Sequence, residues 1–460
     1  MFKKDVWTSY DEKELEGVHA LSEGYKVYIS ENKTERECVA AAIEEAKAAG
    51  YVSLEEKIKA GEALHVGDRV YADCMGKSLL LALIGEDPIE EGMNILGAHV
   101  DSPRIDLKQN TLYEDTGMAL LDTHYYGGIK KYQWVTIPLA LHGVIVKKDG
   151  TKVEVNIGEK EDDPVFCISD LLIHLSREQL QKKANEVING EALDVLFGSQ
   201  PLADTEKDAV KANILKLLAD NYGVEEEDFV SAEIEVVPAG KARDLGLDRS
   251  MVLGYGHDDR ICAYTSLVAI LKTQKVKRTS ICLLVDKEEI GSVGATGMES
   301  RFFENTIAEI MNLVGGYSEL ALRRALRNSC MLSSDVSAAF DPNYADAFEK
   351  KNAAYFGQGL VFNKYTGSGG KSGSNDASAE YVAQIRNLMD EANVGYQTAE
   401  LGKVDVGGGG TIAYILASYG MRVIDSGIAL LSMHAPWEIA SKADIYEAVK
   451  GYCAFLEKMQ

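Results

Sequence analysis

Four short apolar runs of this chain end at residues that bind metal ions well. MNILGAHV ends beside His99, TSICLLVDKEE ends in Glu288 and Glu289, NSCMLSSD ends in Asp335, and MRVIDSGIALLSMH ends in His434. Short apolar runs bounded by glycine and charge are typical of buried β-strands. In open α/β sheets, ligands bind beyond the carboxyl ends of the strands. The pattern therefore favours a sheet whose strand ends carry the functional residues.

Helical segments alternate with these strands. Segments 35–50, 260–273 and 441–458 carry apolar residues at helical spacing, and the last opens with Ser441 and Asp444 in a capping-box pattern. Alternating strands and helices predict an α/β fold, with helices on both faces of the sheet. At 460 residues the chain is too long for one ordinary core, which predicts two domains.

The pattern changes between residues 106 and 237, where alternating apolar residues and a KKDGTK turn signal predict antiparallel strands. Within this region, SDLLIHLSREQLQKKANEVI predicts a helix with Leu171, His174 and Leu175 on one face. The region lacks a cluster of metal-binding residues comparable to the others. We therefore predict an inserted β-rich (α+β) domain at 106–237, within a main domain formed by 1–105 and 238–460.

The metal-binding residues suffice for two ions. A dinuclear site needs a bridging carboxylate and about two further ligands for each ion. Asp258, in GHDDR, is the predicted bridge, with His99 and Asp335 on one ion and Glu289 and His434 on the other. Nitrogen and oxygen ligands of this kind suit Zn²⁺, and Co²⁺ or Mn²⁺ fit the same set.

Three neighbouring acidic residues have other predicted roles. Asp101 lies two residues after His99 and is suited to orienting that imidazole. Glu288 stands beside the ligand Glu289 and is suited to moving a proton between a water molecule and a leaving group. Asp259 is an alternative to Asp258 as the bridge. Together the residues indicate a two-metal hydrolytic site.

The composition limits the possible binding partners and the cellular compartment. A formal net charge of −24 at pH 7 disfavours nucleic acid and anionic membranes, because their phosphates would be repelled. The seven cysteines contain no CxxC pair, which is typical of free thiols in a reducing compartment. The first 17 residues show no apolar core typical of a signal peptide, and no apolar run is long enough to span a bilayer. We therefore expect a cytoplasmic protein.

The motifs GAHVDSPR, DDR, DKEEIGS, SSDVSAAFDPNY and GGGGTI…SMHAPWE, together with KTERE, resemble those of the aspartyl aminopeptidase/aminopeptidase I family of dinuclear zinc peptidases. The resemblance runs through most of the chain. It implies an α/β/α catalytic domain of the zinc-exopeptidase type, interrupted by a dimerisation domain. It also implies a tetrahedral dodecamer that acts on peptides. By motif, the metal ligands are those predicted above and Glu288 is the general base.

The resemblance also extends to residues that contact substrate. The LLIHL segment is similar to the stretch whose histidine reaches a neighbouring subunit's site, which implies that role for His174; simple packing on a helix face is the alternative. Lys364 matches a lysine near the side-chain pocket, with Lys371 as a nearby competitor, so acidic and neutral first residues are both open. Three residues are predicted to line the pocket, namely Gly409, Gly410 and Thr411.

Two other functions fit parts of this pattern. A di-metal deacylase of N-blocked amino acids would use the same ligands and the same base. A catalytically inactive assembly protein would keep the ligands alone, and Glu288 disfavours it, because a structural metal site has no use for a free base beside its ligands.

Overall fold

The computed structural model describes residues 5–460. Residues 1–4, which belong to the stretch considered above for a signal peptide, lie outside the described residues. The helices are α1 (Glu12–Glu31), α2 (Glu35–Ala48), α3 (Leu54–Ala60), α4 (Ala209–Tyr222), α5 (His257–Lys272), α6 (Phe302–Val314), α7 (Glu319–Asn328), α8 (Ala379–Glu391), α9 (Ala413–Ala417) and α10 (Lys442–Lys458).

The strands of the first half are β1 (Val52–Ser53), β2 (Arg69–Cys74), β3 (Ser78–Leu83), β4 (Asn94–His99), β5 (Arg104–Asp115), β6 (Met118–Tyr126), β7 (Leu139–Val146), β8 (Lys152–Ile157), β9 (Val195–Gly198) and β10 (Ala232–Pro238). Those of the second half are β11 (Arg243–Leu245), β12 (Met251–Gly254), β13 (Ser280–Val285), β14 (Cys330–Ser334), β15 (Ser337–Ala338), β16 (Leu360–Asn363), β17 (Tyr396–Thr398), β18 (Arg422–Gly427), β19 (Ala429–Leu431) and β20 (Glu438–Ser441).

The chain divides into two compact units. The first comprises the chain up to Ser102, Ala242–Met433 and Glu438–Gln460, and the second comprises Pro103–Lys241 and His434–Trp437. In the described part of the first unit, nine strands form a sheet in the order β1-β2-β3-β13-β4-β14-β18-β16-β17, and five form a smaller sheet in the order β11-β12-β20-β19-β15. The second unit contains an antiparallel sheet in the order β8-β7-β10-β5-β6-β9.

The nine-stranded sheet is mixed, and helices cover both of its faces. β13, β4, β14 and β18 run parallel, whereas β3 and β16 are antiparallel to their neighbours β13 and β18. On one face Leu96 and Ala98 pack with α1, α2, α5, α8 and α10. On the other face Ile95 packs with α3, α6, α7 and α9. This arrangement confirms the predicted α/β fold with helices on both faces of the sheet.

The KTERE motif forms the amino-terminal cap of α2. The Thr34 hydroxyl accepts from the Glu37 backbone nitrogen at 3.2 Å, and the Glu37 carboxylate accepts from the backbone nitrogens of Lys33 and Thr34 at 2.8 and 3.0 Å. These bonds satisfy N–H groups that a helix start leaves without intrahelical partners. Local helix capping therefore explains Thr34 and Glu37 of the motif.

The cap predicted for the last helix is absent from the described residues. Ser441 does precede α10, but its side chain makes no capping hydrogen bond. The Asp444 carboxylate instead accepts from the backbone nitrogens of Gly357 and Gly359 at 3.0 and 2.7 Å. The capping-box prediction is therefore wrong, because groups distant in sequence compete for the same carboxylate.

The helix predicted over SDLLIHLSREQLQKKANEVI is also wrong. The described chain forms only short 3₁₀ turns there, at Ile173–Leu175 and Gln179–Gln181. The apolar side chains that the pattern placed on one face are exposed, with Leu171 at 45% and Leu175 at 67%. By contrast, the KKDGTK signal does form a hairpin, since β7 and β8 pair around it.

Two further expectations can be compared with the structure. All seven cysteines are free thiols. Within residues 5–460, every helix is too short or too polar to cross a lipid bilayer.

Candidate metal centre

The carboxyl ends of β13, β4 and β14 meet at one edge of the nine-stranded sheet. β4 lies between the other two strands and runs parallel to both, with His99 level with Val285 of β13. His99 is the last residue of β4, Asp335 follows β14 directly, and Glu288 and Glu289 begin a 3₁₀ turn just after β13. The parallel register thus places these four residues at the same edge.

The His99 imidazole lies among carboxylates of the first unit. Its Nε2 is 3.3 Å from Asp258 Oδ1, 3.9 Å from Glu288 Oε2 and 4.0 Å from Asp335 Oδ1. Ligand atoms of His99, Asp258 and Asp335 all lie within 4.8 Å of one another, and so do those of His99, Glu288 and Glu289. These distances bring together five of the residues singled out in the sequence.

This donor set fits a divalent metal ion. Ligand atoms placed about 2.1 Å from a tetrahedral ion stand about 3.4 Å from one another, close to the separation of the His99 and Asp258 ligand atoms. One imidazole nitrogen with several carboxylate oxygens is also the ligand chemistry of zinc and manganese sites. The residues present therefore fit the metal that the sequence predicted.

The electrostatics of the cluster also favour a cation. Burial alone would lower the pKa of the His99 imidazole, but its hydrogen bonds to Asp101 and Asp258 raise that pKa well above its usual value. Burial and the neighbouring Asp259 carboxylate raise the pKa of Asp335 well above its usual value. Buried carboxylates this close repel one another, and a positive charge among them relieves that repulsion.

Asp101 connects the histidine to the glutamate pair. Its two carboxylate oxygens accept from the backbone nitrogens of Glu288 at 3.1 Å and Glu289 at 3.2 Å. The same carboxylate lies 3.2 Å from His99 Nδ1, which also lies 2.9 Å from the Asp101 backbone oxygen. A single buried side chain therefore fixes the imidazole and the backbone that carries both glutamates.

Asp258 and Asp259 lie in the first turn of α5 with non-helical backbone angles, and the peptide bond between them is cis. The two carboxylates have different surroundings. Asp258 faces His99 Nε2, whereas Asp259 Oδ2 accepts from the His99 backbone nitrogen at 3.3 Å. Burial raises the pKa of Asp259 well above its usual value. This geometry supports Asp258 over Asp259 as the metal-facing residue.

Two further positioning groups were not singled out in the sequence. Glu438, at the start of β20, accepts from the Asp258 backbone nitrogen at 3.1 Å, and the Ser102 hydroxyl donates to the Asp258 backbone oxygen at 2.6 Å. Both lie in quoted motifs, since Ser102 belongs to GAHVDSPR and Glu438 ends SMHAPWE. Their roles depend on contacts between distant segments, which sequence spacing does not show.

The two other predicted histidines belong to the second unit. His434 follows β19, a strand of the five-stranded sheet, and lies in the segment His434–Trp437. Its Nδ1 is 2.8 Å from the backbone oxygen of Gly128 in the same unit. His174 lies exposed in the turn Ile173–Leu175.

The predicted substrate residues lie in loops of the first unit. Lys364 pairs with Asp376 at 2.8 Å, and its competitor Lys371 pairs with the other oxygen of Asp376 at 3.2 Å. Lys364, together with Tyr365 and Glu400, lines a cavity of about 560 Å³. The Tyr365 hydroxyl donates to Glu400 at 2.5 Å.

The glycine-rich segment before α9 approaches the sheet from another loop. The Gly409 backbone nitrogen donates to Thr366 O at 3.0 Å, and the Thr411 hydroxyl donates to Asp425 Oδ1 of β18 at 2.5 Å. No heavy atom of the described residues lies within 4 Å of where a Cβ on Gly410 would stand, apart from its chain neighbours. Open space at Gly410 leaves its backbone accessible.

Comparisons with known proteins agree on one family. Residues 28–456 match the sequence profile of the family described as aminopeptidase I zinc metalloprotease (M18). A probable M18 family aminopeptidase 1 of Clostridium acetobutylicum is 64% identical over 454 residues, covering 98% of each chain.

Solved structures agree with the sequence relatives. The crystal structure of aminopeptidase I from Clostridium acetobutylicum has 62% identity and a TM-score of 0.93, with full coverage of both chains. The M18 aminopeptidase from Thermotoga maritima has 46% identity and a TM-score of 0.95, also with full coverage. The S. cerevisiae mApe1 dodecamer shares the fold at 21% identity and a TM-score of 0.78, covering 96% of this chain and 97% of that one.

Proposed function

The chain belongs to the aminopeptidase I family of zinc metalloproteases (M18), and from this premise we propose a dinuclear site with the residue roles described below. The chain is a zinc aminopeptidase, a hydrolase that releases amino acids from the amino termini of peptides. The alternative of an N-acyl amino acid deacylase is not favoured, because these relatives are named as aminopeptidases.

The proposed ligands are those of the sequence analysis. Two ions would be held by Asp258 between them, with His99 and Asp335 completing one set of ligands and Glu289 and His434 completing the other. The observation that carries this proposal is the buried group of His99, Asp258 and Asp335, whose ligand atoms lie within 4.8 Å of one another. Family membership supports zinc as the metal. His434 is proposed on its motif alone.

Glu288 is the proposed general base. When bound, the metal ions supply Lewis-acid polarisation of the scissile carbonyl and lower the pKa of the attacking water. The Glu288 carboxylate is 16% exposed, so solvent reaches it, and the Asp101 carboxylate accepts from the Glu288 backbone nitrogen at 3.1 Å. Glu288 takes the proton of the attacking water and delivers it to the leaving amine.

The second unit is proposed to mediate dimerisation and to contribute a catalytic histidine. His174 lies exposed among apolar residues, two of which, Ile173 and Leu175, are about two-thirds exposed. Such a patch is typical of a subunit interface. We propose that His174 reaches the site of a neighbouring subunit and donates to the oxyanion of the tetrahedral intermediate. The S. cerevisiae mApe1 dodecamer supports a homo-oligomer, and the tetrahedral dodecamer that we propose rests on the motif resemblance.

Lys364, Gly409, Gly410 and Thr411 are the proposed substrate contacts. The Lys364 ammonium pairs with Asp376, which partly neutralises the charge that would select an acidic first residue. Open space at Gly410 supports a close approach of substrate to its backbone. We therefore propose that neutral first residues are accepted alongside acidic ones.

The test of this mechanism replaces Glu288 by glutamine in the zinc-loaded enzyme. Glutamine keeps the shape but loses the basic carboxylate, so the turnover number for free-amine peptides should fall by about 10²–10⁴-fold. Zinc content by elemental analysis should remain at the wild-type value. Glu309→Gln, an exposed change on α6, serves as the matched control.

Two results would contradict the proposal. A Glu288→Gln enzyme that works at nearly the wild-type rate would remove the base assignment. Hydrolysis of acetylated peptides in preference to free-amine peptides by the wild type would favour the deacylase, since a free amine is what an aminopeptidase recognises.

A further inference from the structure

The amino-terminal edge of the same sheet carries a cluster of arginine and lysine side chains. Ser280 of β13 and Cys330 of β14 both stand level with Asn94 of β4, and Cys330 stands level with Arg422 of β18. Arg278 lies two residues before β13, so Arg278 and Arg422 flank this edge. The metal centre lies at the opposite ends of the same strands.

Arg278 is buried without a carboxylate partner. Its side chain is 6% exposed, and its nitrogens donate to the backbone oxygens of Gly92, Glu91 and Asn328 at 3.2, 3.0 and 2.5 Å. The remaining contact is with Cys330 Sγ at 3.5 Å. Among residues 5–460, no Asp or Glu side chain lies within ion-pair distance of this guanidinium.

Gly92 provides the space that this guanidinium occupies. A Cβ on Gly92 would stand 1.9 Å from Arg278 Nη2, and its φ of +108° is one that glycine adopts readily. The backbone is therefore shaped around a buried positive charge, which needs an anion nearby to offset its desolvation.

Arg422 has the same kind of surroundings. It donates to Gln384 Oε1 at 2.6 Å, to Cys330 Sγ at 2.8 Å and to the Gln460 backbone oxygen at 3.2 Å. Two guanidinium groups thus converge on one sulfur, the Sγ atom of Cys330.

A cavity of about 500 Å³ opens between these groups. Lys277 and Arg327 line it together with Arg278 and Arg422, and the side chains of Lys277 and Arg327 are exposed at its rim. Neither rim side chain has a hydrogen bond or ion pair with the residues that the structure describes. Asp87, Glu91 and Gln460, the last described residue, also line the cavity, so the four basic side chains face acidic groups as well.

We infer that this cavity binds a small multivalent oxyanion of the phosphate class. The chain carries a net charge of −24, so four clustered basic side chains are unusual for its surface. Guanidinium groups match tetrahedral oxyanions because their planar donors bind two oxygens at once, and a lysine ammonium adds a point charge. The unpaired rim cations Lys277 and Arg327 supply the donors, and the buried Arg278, whose Nε and Nη2 are bound by backbone oxygens, adds its positive charge.

The ligand would lie far from the reacting atoms. From Cys330 to Asp335 the chain advances five residues, which spans about 17 Å along a strand. An anion here does not touch the substrate of the metal centre. Its expected effect is to stabilise the folded chain, since it binds the native state and offsets charge on strands that also carry metal ligands at their other ends.

The test is a titration of zinc-loaded enzyme with inorganic phosphate, followed by calorimetry at constant ionic strength. We expect one saturable site per chain in the wild type that is at least tenfold weaker in Lys277→Ala/Arg327→Ala. Lys275→Ala/Arg323→Ala is the matched control, because it removes the same charge from residues that do not line the cavity. The control should bind phosphate like the wild type.

Phosphate bound at the metal centre would be equally present in all three proteins, so the difference between them isolates the cavity. Equal affinity in all three, or no saturable binding in the wild type, would overturn the inference. A changed oligomeric state of the cavity variant with unchanged phosphate binding would overturn it as well, and would assign the basic face to a subunit interface. Peptide hydrolysis, measured separately, tests the proposed function and does not depend on this outcome.

Discussion

Asp101→Asn most directly tests how His99, Glu288 and Glu289 are positioned at the carboxyl ends of β4 and β13. The carboxylate accepts from the backbone nitrogens of Glu288 and Glu289 and lies 3.2 Å from His99 Nδ1. Asparagine has nearly the same shape, but one of its two acceptor oxygens becomes an NH₂ group. One of the two glutamate N–H groups therefore faces a donor instead of an acceptor.

The size of the effect follows from these contacts. A buried donor left without its acceptor costs about 1–3 kcal/mol, and the negative charge beside the imidazole is lost in addition. Replacing a residue that orients a metal-binding histidine typically weakens metal affinity about 10–100-fold, which is about 1.4–2.8 kcal/mol. The two estimates agree, so we expect zinc to bind Asp101→Asn about 10–100-fold more weakly.

The assay has two parts. Zinc affinity is measured in chelator-buffered zinc, and kcat/KM for a free-amine peptide is measured at limiting and at saturating zinc. At limiting zinc, kcat/KM should fall with the affinity. At saturating zinc a smaller loss of kcat/KM should remain, because the asparagine side chain can no longer accept from the backbone nitrogens of both Glu288 and Glu289.

Asp346→Asn, at an exposed position, is the control for loss of one acidic side chain. Zinc affinity and kcat/KM of Asp101→Asn within twofold of the wild type would refute the role assigned to this carboxylate. Loss of activity with unchanged zinc affinity would confine the role to the glutamate pair.

Three further predictions concern other parts of the first unit. A Cβ on Gly427 would stand 1.8 Å from the Asp335 backbone oxygen, so Gly427→Ala should destabilise the fold by about 1–3 kcal/mol in urea unfolding and weaken zinc binding; an unchanged midpoint would contradict this. Burial raises the pKa of Asp444 to about 8, so the folded state holds a proton that the unfolded state releases above about pH 4. The stability advantage of the wild type over Asp444→Asn should therefore shrink as pH rises from 5 to 8, by at most about 1.4 kcal/mol per pH unit, and a constant difference would rule this out. Asp376→Asn removes the carboxylate that pairs with Lys364, and should raise the rate for acidic over neutral first residues by up to about fivefold, whereas an unchanged ratio would separate this pair from specificity.

The meeting of these residues at one edge of the sheet was predictable because its signal is local and repeated; their binding of metal stays a prediction. His99, Glu288, Glu289 and Asp335 each follow a short apolar strand, and the parallel sheet brings their strand ends together. The general rule on strand ends was sufficient to connect residues more than 200 positions apart. Asp101 was recognisable for the same reason, since it lies two residues beyond the end of β4.

The segment around His174 and the start of α10 were predicted wrongly, because their structures depend on contacts that the spacing of apolar residues does not show. The segment around His174 has apolar residues at helical spacing, yet its side chains are exposed and only 3₁₀ turns form. A helical pattern predicts an α-helix only when an apolar surface exists for its face to cover. The Ser441 and Asp444 pair failed for a related reason, because two glycine N–H groups from a distant loop bind the Asp444 carboxylate.

The strand order has a consequence for synthesis of the chain on the ribosome. β4 carries His99, but both of its neighbours in the sheet, β13 and β14, emerge later. At about 5–20 residues per second, the roughly 240 residues from His99 to Asp335 take about 10–50 seconds to appear. Neither edge of the apolar strand β4 can pair with its neighbour until β13 emerges, and one edge stays unpaired until β14 emerges. Strands such as β5 and β6, by contrast, pair with near neighbours in sequence. The nascent chain should therefore depend on chaperone protection until β14 is complete, and slowing translation within β14 should increase aggregation more than slowing it within β6.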